Sequence, residues 1–285
     1  MAHIISGKEI ASSVRAQIAE KGRLFTERTG VVPGLAVVIV GEDPASKVYV
    51  RNKKKGCEEV GFYSEVHELP EDITQERLMS ELESINKNPK IHGILVQLPL
   101  PRHLDEKAVI DFIPPEKDVD AFHPVNTGKI MIGNYDFLPC TPAGVMKMLE
   151  YENIDVTGKN CVVIGRSNIV GKPMAMLLLH SNGTVTICHS KTKNLADITS
   201  KADILVSSVG KAKFVTADMV KEGAVVIDVG MNRDENGKLC GDVAFDEVAE
   251  KASAITPVPG GVGVMTITML LQNTLKAAEI AVKNS

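Results

Sequence analysis

The chain has 285 residues, 44% hydrophobic and 24% charged, with a formal net charge of −4. That is enough globular sequence for two modest domains, and its acidic balance argues against a general nucleic-acid binder, which is usually basic. No apolar run reaches the roughly 18 residues a membrane span needs, and the N-terminal MAHIISGKEI has no basic-then-apolar signal pattern.

The five cysteines (57, 140, 161, 188 and 240) are scattered, with no C-x-x-C spacing. Neither a zinc site nor a disulfide framework is indicated, no metal is expected, and a reduced cytoplasmic setting fits.

In chain order, Ile10, Val14 and Ile18, with Leu24 and Phe25 less regularly, predict a helix over 6–29, stopped by Gly30. The β-branched run LAVVIV at 35–40 reads as a strand buried on both faces. A turn at 41–44, a helix over 45–59, a strand over 63–69, a helix over 73–86 and a buried strand over 92–98 (HGILVQL) follow. Alternating strand and helix patterns imply a parallel α/β sheet. Prolines 99, 101, 114 and 115 break the pattern, and 114–142 reads as one long loop before a connecting helix over 143–151.

A second unit opens at 160–165 and adds strands over 184–189, 204–209 and 224–229, a doubly wound, Rossmann-like pattern. The expected division is therefore a first domain over 1–145 and a Rossmann-like domain over 146–263. A last apolar helix over 264–285 would pack back on the first domain, with a cleft between the two.

The strongest single stretch is NCVVIGRSNIVGKP at 160–173. A buried strand ends at Gly165, a short turn follows, and apolar residues resume in MAMLLL. Such a turn presents backbone N–H groups and the positive end of a helix dipole to a phosphate. The fingerprint is imperfect: Ser167 stands where a second glycine is usual, and Gly171 comes one residue late. An NAD site usually carries an acidic residue about 20 residues past the glycines. Here the second strand ends instead in Cys188-His189-Ser190-Lys191. With Arg166 in the turn, that chemistry favours NADP over NAD, because cations and hydroxyls satisfy a 2′-phosphate. The competing reading makes Arg166 and Lys191 solvated surface charges.

In the first domain, Tyr49 and Lys53 are four apart and share a helix face. Burial lowers a lysine's pKa from its ordinary value of about 10.4, as general acid/base work requires. The alternative is that Lys53 to Lys55 form a solvated basic turn. Gln97 ends a strand at the carboxyl edge, where α/β sheets gather ligand groups. Asp118 and Asp120 sit in the long loop, as ring-edge acceptors or as loop caps. His123 has no partner at ligand spacing. The segment TPVPGGVG at 256–263 is a shaped loop before a helix, suited to close approach by a ligand.

Together, PAS-x-x-Y-V-x-x-K at 44–53, VQLPLP at 96–101, KDVD at 117–120, CTPAG at 140–144, GRS-x-x-VG-x-P at 165–173 and TPVPGGVG at 256–263 run in order along nearly the whole chain. The combination resembles the bifunctional methylenetetrahydrofolate dehydrogenase/cyclohydrolase family. The resemblance implies two reactions at one site: hydride transfer from 5,10-methylenetetrahydrofolate to NADP, then hydrolysis of the methenyl product to 10-formyltetrahydrofolate.

It further implies that Lys53 is the key residue of the hydrolytic half, that Tyr49 stacks on the folate, that Gln97 hydrogen-bonds Lys53, and that Asp120 anchors the pterin. Pro259, Gly260, Gly261 and Val262 would lie along the folate. Gly165, Arg166 and Ser167 would bind the cofactor phosphates, Arg166 and Ser190 the 2′-phosphate, and the Met231 backbone would sit near the nicotinamide. A homodimer formed through the second domain is also implied. Two positions depart from the family pattern: Ala121 where glycine is usual after KDVD, and Val264 where proline is usual after PGGVG. The alternatives are a monofunctional NAD(P) dehydrogenase of the same fold, or a binding protein that keeps the pockets without turnover.

Overall fold

The structure, a computed structural model, describes residues 1–284, apart from the side chain of Ala45. In chain order the elements are β1 (His3–Ile4), α1 (Gly7–Thr29), β2 (Gly34–Val40), α2 (Pro44–Glu59), β3 (Tyr63–Leu69), α3 (Gln75–Lys87), β4 (Gly93–Val96), α4 (Glu106–Phe112), α5 (Pro124–Met131) and α6 (Cys140–Tyr151). They continue with β5 (Asn160–Ile164), α7 (Gly171–His180), β6 (Thr184–Cys188), α8 (Leu195–Thr199), β7 (Ile204–Ser207), β8 (Val225–Asp228), β9 (Asn232–Arg233), β10 (Leu239–Cys240), α9 (Phe245–Ala249), β11 (Ala254–Ile255) and α10 (Val262–Lys283).

The chain forms two compact units. One, the N-terminal unit, comprises Ser13–Leu138 together with the chain from Ile267 onward. Its sheet is three-stranded and parallel, in the order β3-β2-β4. Strand β2 is buried throughout because it is central and covered on both faces, which is why it reads as an unbroken apolar run. Val38 and Ile94 pack with Leu78 and Leu82 of α3 in one core.

The other, C-terminal unit, comprises Met1–Ser12 and Pro139–Thr266. Its six-stranded sheet runs β1-β11-β8-β7-β5-β6, all parallel. Val162, Leu205, Val226 and Ile255 centre its core. Residues 1–12 group here, and not with the rest of the stretch 1–145, because β1 pairs with β11 at the sheet edge. This unit takes up the chain from Pro139, ahead of α6, where the sequence reading drew the boundary near 145.

The stretch 114–142, expected as one loop, contains α5. Pro124 opens that helix, and His123 Nδ1 accepts from the Val125 N–H at 3.1 Å. Proline is pre-set for a first helical position, but with only eight residues the helix is too short to declare itself by periodicity. Among the described residues, no helix is long and apolar enough to cross a membrane.

Candidate active site

Helix α2 sets the first cluster. Asp43 caps it, its carboxylate accepting from the Ser46 N–H at 2.8 Å, and Pro44 opens the first turn. Ser46, Val50, Lys53 and Cys57 recur at three- or four-residue spacing and are all buried, so Lys53 belongs to the inward face. Lys53 is only 8% exposed, which rules out the solvated basic turn for this residue. Its ammonium donates to Gln97 Oε1 at 2.8 Å.

Gln97 is held at both ends. Its backbone N–H donates to Val38 O at 2.8 Å, and its side-chain amide donates to Leu98 O at 2.9 Å, leaving Oε1 turned to the lysine. Tyr49 lies one turn before Lys53, half-buried, and burial raises its hydroxyl pKa. It therefore stays a protonated donor through the neutral range.

The segment Lys117–Asp120 runs beside β4. Ile94 donates to Lys117 O at 2.8 Å, and Ile94 and Asp118 form a parallel bridge. The chain turns directly after that bridge, Ala121 N–H donating to Asp118 O at 3.1 Å, and Asp120 lies half-buried in the turn. Close approach requires Gly93: a Cβ there would stand 2.5 Å from Val119 Cγ1.

Asp118 has the other role considered for it. It is buried, and it accepts from the N–H groups of Phe122 and His123 at 3.2 and 2.9 Å and from Asn126 Nδ2 at 2.8 Å. It is a loop cap, and burial raises its pKa despite those bonds. Asn273 of α10 was not legible from the sequence. It is buried, and its amide donates to Val119 O and Leu138 O, both at 2.8 Å, which pins the same segment. Ala121, where glycine was expected, is buried with φ +57°.

The second cluster belongs to the C-terminal unit. Strand β5 ends into Gly165, whose φ of +135° disfavours other residues; a Cβ there would stand 2.3 Å from Ser208 Oγ. Ser167 Oγ accepts from the N–H groups of Val170 and Gly171, both at 3.2 Å, and so caps the start of α7. Ile164 pairs with Cys188 in the parallel register of β5 and β6. Arg166 and Ser190 each lie two residues further on, exposed at the same sheet end. The turn beyond β6 is closed by Thr192, whose N–H donates to His189 O at 2.8 Å and whose hydroxyl accepts from His189 N at 2.9 Å. The turn from His189 to Lys193 holds no carboxylate.

Pro259, Gly260, Gly261 and Val262 also belong to this unit. Lys8 N–H donates to Gly260 O at 3.2 Å, which ties the loop to the start of α1. Met231 follows β8, and its Sδ lies against Gly263: a Cβ on that glycine would be 3.2 Å away. The residue expected near the nicotinamide and the loop expected along the folate are therefore neighbours.

Two family models account for most of the chain. The catalytic domain of tetrahydrofolate dehydrogenase/cyclohydrolase matches residues 5–120, and the NAD(P)-binding domain of the same enzyme matches residues 139–282. The bifunctional protein FolD of Bacillus anthracis is 59% identical over 281 residues, covering 99% of this chain and 98% of that protein. The solved bifunctional FolD enzyme of Campylobacter jejuni superposes with a TM-score of 0.96 at 48% identity, over 99% of this chain and 100% of that one. The Trypanosoma brucei enzyme, solved with NADP and an inhibitor, gives 0.95 at 41% identity, over 99% of each chain. With both domain models matched in order and full-length relatives well above the level at which folds and families diverge, this chain belongs to the tetrahydrofolate dehydrogenase/cyclohydrolase family.

Proposed function

We propose that this protein is a bifunctional enzyme of one-carbon folate metabolism. It oxidises 5,10-methylenetetrahydrofolate to 5,10-methenyltetrahydrofolate with NADP, then hydrolyses the product to 10-formyltetrahydrofolate. The observation that carries the reading is the buried Lys53 ammonium on Gln97 Oε1 at 2.8 Å, one helical turn from Tyr49. We assign the folate chemistry to the N-terminal unit and the nucleotide to the C-terminal unit.

In the oxidative step the protein's contribution is placement. Asp120 accepts hydrogen bonds from the amino edge of the pterin, and Tyr49 covers its face. Holding the two reacting carbons in contact is worth several kcal/mol without any further group. Bound NADP supplies the hydride acceptor.

In the hydrolytic step the Lys53 side chain works as the neutral amine, which still donates an N–H to Gln97: water attacks the methenyl carbon and that amine takes its proton, with Gln97 fixing the lysine's position. The bond from that carbon to N5 then breaks, N5 gains a proton, and the hydroxyl of the adduct becomes the formyl oxygen on N10. One proton is released overall, which balances the loss of the cation's charge.

The C-terminal unit has the donors NADP needs. Gly165, Arg166 and Ser167 form the turn between β5 and α7, at the carboxyl end of the sheet where α/β folds bind ligands. Arg166 and Ser190 offer a cation and a hydroxyl to a 2′-phosphate, with no carboxylate to repel it. The Met231 backbone serves the nicotinamide.

We place the enzyme in the cytoplasm as a homodimer joined through the C-terminal unit. The edge strand β6, with Ile187 exposed, supports that choice of face.

The test is to supply the purified protein with 5,10-methylenetetrahydrofolate and NADP or NAD, identify the product, and separately supply the methenyl compound without nucleotide. Ring opening in the second assay supports the bifunctional reading. Oxidation without ring opening leaves the monofunctional dehydrogenase.

A further inference from the structure

We propose that Asp242, in the segment after β10, is a positioning residue for the nicotinamide nucleotide, setting the spacing between the phosphate-binding turn and the Met231 segment. The inference rests on the reading that the C-terminal unit binds NADP.

Asp242 is 0% exposed, yet it holds no cation among the described residues. Its charge is met by four donors from two segments. Oδ2 accepts from Ser207 Oγ at 3.1 Å and from Val209 N–H at 2.7 Å. Oδ1 accepts from Lys211 N–H at 3.0 Å and from Asn232 Nδ2 at 2.9 Å. Burying a carboxylate costs several kcal/mol, and a well-packed neutral group is often at least as stable. A role in stability alone does not require the charge. What a carboxylate does, and a smaller neutral group does not, is accept from four directions and lock separate segments in one arrangement.

Those segments lead to opposite ends of the expected nucleotide. The first, 207–211, carries Ser208. Its N–H and hydroxyl both donate to Ile164 O, at 2.8 and 3.1 Å, and its Oγ fills the place a Cβ on Gly165 would take. Asp242 therefore holds, through Ser207 and Val209, the residue against which the phosphate turn rests. The second, 230–232, carries Met231. Asn232 is bound to Asp242 directly, and Gly230 leaves room for it: a Cβ there would be 2.3 Å from Asp242 Oδ1.

A neighbouring buried carboxylate, Asp228, ties the second segment to the main chain at Asp242. It accepts from the N–H groups of Gly230, Asp242 and Val243, all at 2.9 Å.

The test uses Asp242→Asn, which keeps the shape but turns one acceptor oxygen into an amide that faces two donors. Calorimetric titration with NADP is expected to show a Kd raised at least about tenfold, equivalent to about 1.4 kcal/mol. KM for NADP should rise with it, while hydrolysis of the methenyl compound without nucleotide stays within about twofold, a change worth only about 0.4 kcal/mol. A residue that merely held the fold together would instead lower both activities in step with the melting temperature. Ser207→Ala and Asn232→Ala each remove one donor and should weaken NADP binding by about threefold each, the effect of one ordinary hydrogen bond.

A folded Asp242→Asn protein that binds NADP like the wild type overturns the inference. If that variant does not fold, unchanged Kd values in both milder variants overturn it. A wild-type protein that does not bind NADP at all overturns the underlying reading, and the inference falls with it.

Discussion

Replacing Lys53 with methionine separates chemistry from folding. The side chains are similar in length, and the site is 8% exposed, so the thioether occupies the space of the lysine stem. Two stability terms oppose each other. The bond from the ammonium to Gln97 Oε1 at 2.8 Å is lost, at about 1.5–3 kcal/mol for a charged donor. Against that, an ammonium no longer has to be buried, a relief of similar or larger size. The melting temperature should therefore move little, corresponding to a net change within about 1 kcal/mol.

Activity should respond very differently. A positioned proton-transfer group contributes about 10²–10⁴-fold, or roughly 3–5 kcal/mol of barrier. Hydrolysis of the methenyl compound, followed by the loss of its absorbance without nucleotide, should fall by at least about a hundredfold in Lys53→Met. Folded Lys53→Met protein that hydrolyses within about threefold of wild type would refute the role given to this residue, because a threefold loss is under 1 kcal/mol.

Four other outcomes are expected. Arg166→Ala should raise KM for NADP at least about tenfold and leave KM for NAD nearly unchanged, since only the 2′-phosphate loses its charged partner; equal effects on both cofactors would contradict that assignment. Ala121→Val puts a β-branched side chain at φ +57° in a buried position and should cost more than about 2 kcal/mol in urea denaturation, whereas Ala121→Gly should stay within about 1 kcal/mol because relief of strain and lost burial oppose each other. Asn273→Leu leaves the carbonyls of Val119 and Leu138 without their donor and should cost about 2–4 kcal/mol, with a raised KM for the folate through displacement of the Asp120 segment. Burial pushes the Asp228 carboxyl up to about 6 from its ordinary 3.8, so the folded state holds the proton more tightly than the unfolded chain. Stability from this group is present below pH 4 and is lost as pH rises through about 6; Asp228→Asn should flatten that part of the denaturation profile.

Much of the architecture was written in local pattern. LAVVIV became the central strand β2 because parallel strands buried on both faces have no use for alternation. The spacing of Tyr49 and Lys53 put them on one face of α2, though only packing showed that the lysine lies inward, and the strand ends at Gly165 and Gln97 put both candidate clusters at carboxyl edges. Motif order carried the family, and with it the chemistry.

What local pattern could not carry is every contact whose partners are far apart in the chain. Asn273 reaches Val119 across 154 residues. Asp242 finds Ser207 across 35, and β1 reaches the far sheet through a two-residue pairing with β11 that has no period to detect. Asp118 and Asp120, two residues apart in one motif, looked alike as sequence. The tertiary structure turned the first inward as a cap and left the second half-buried in the turn that follows. Apolar periodicity decides which residues are buried, because that follows from nearest-neighbour geometry. Which buried polar group meets which is settled only once the elements have packed, because hydrogen bonds are directional and must be satisfied wherever the chain brings the donors.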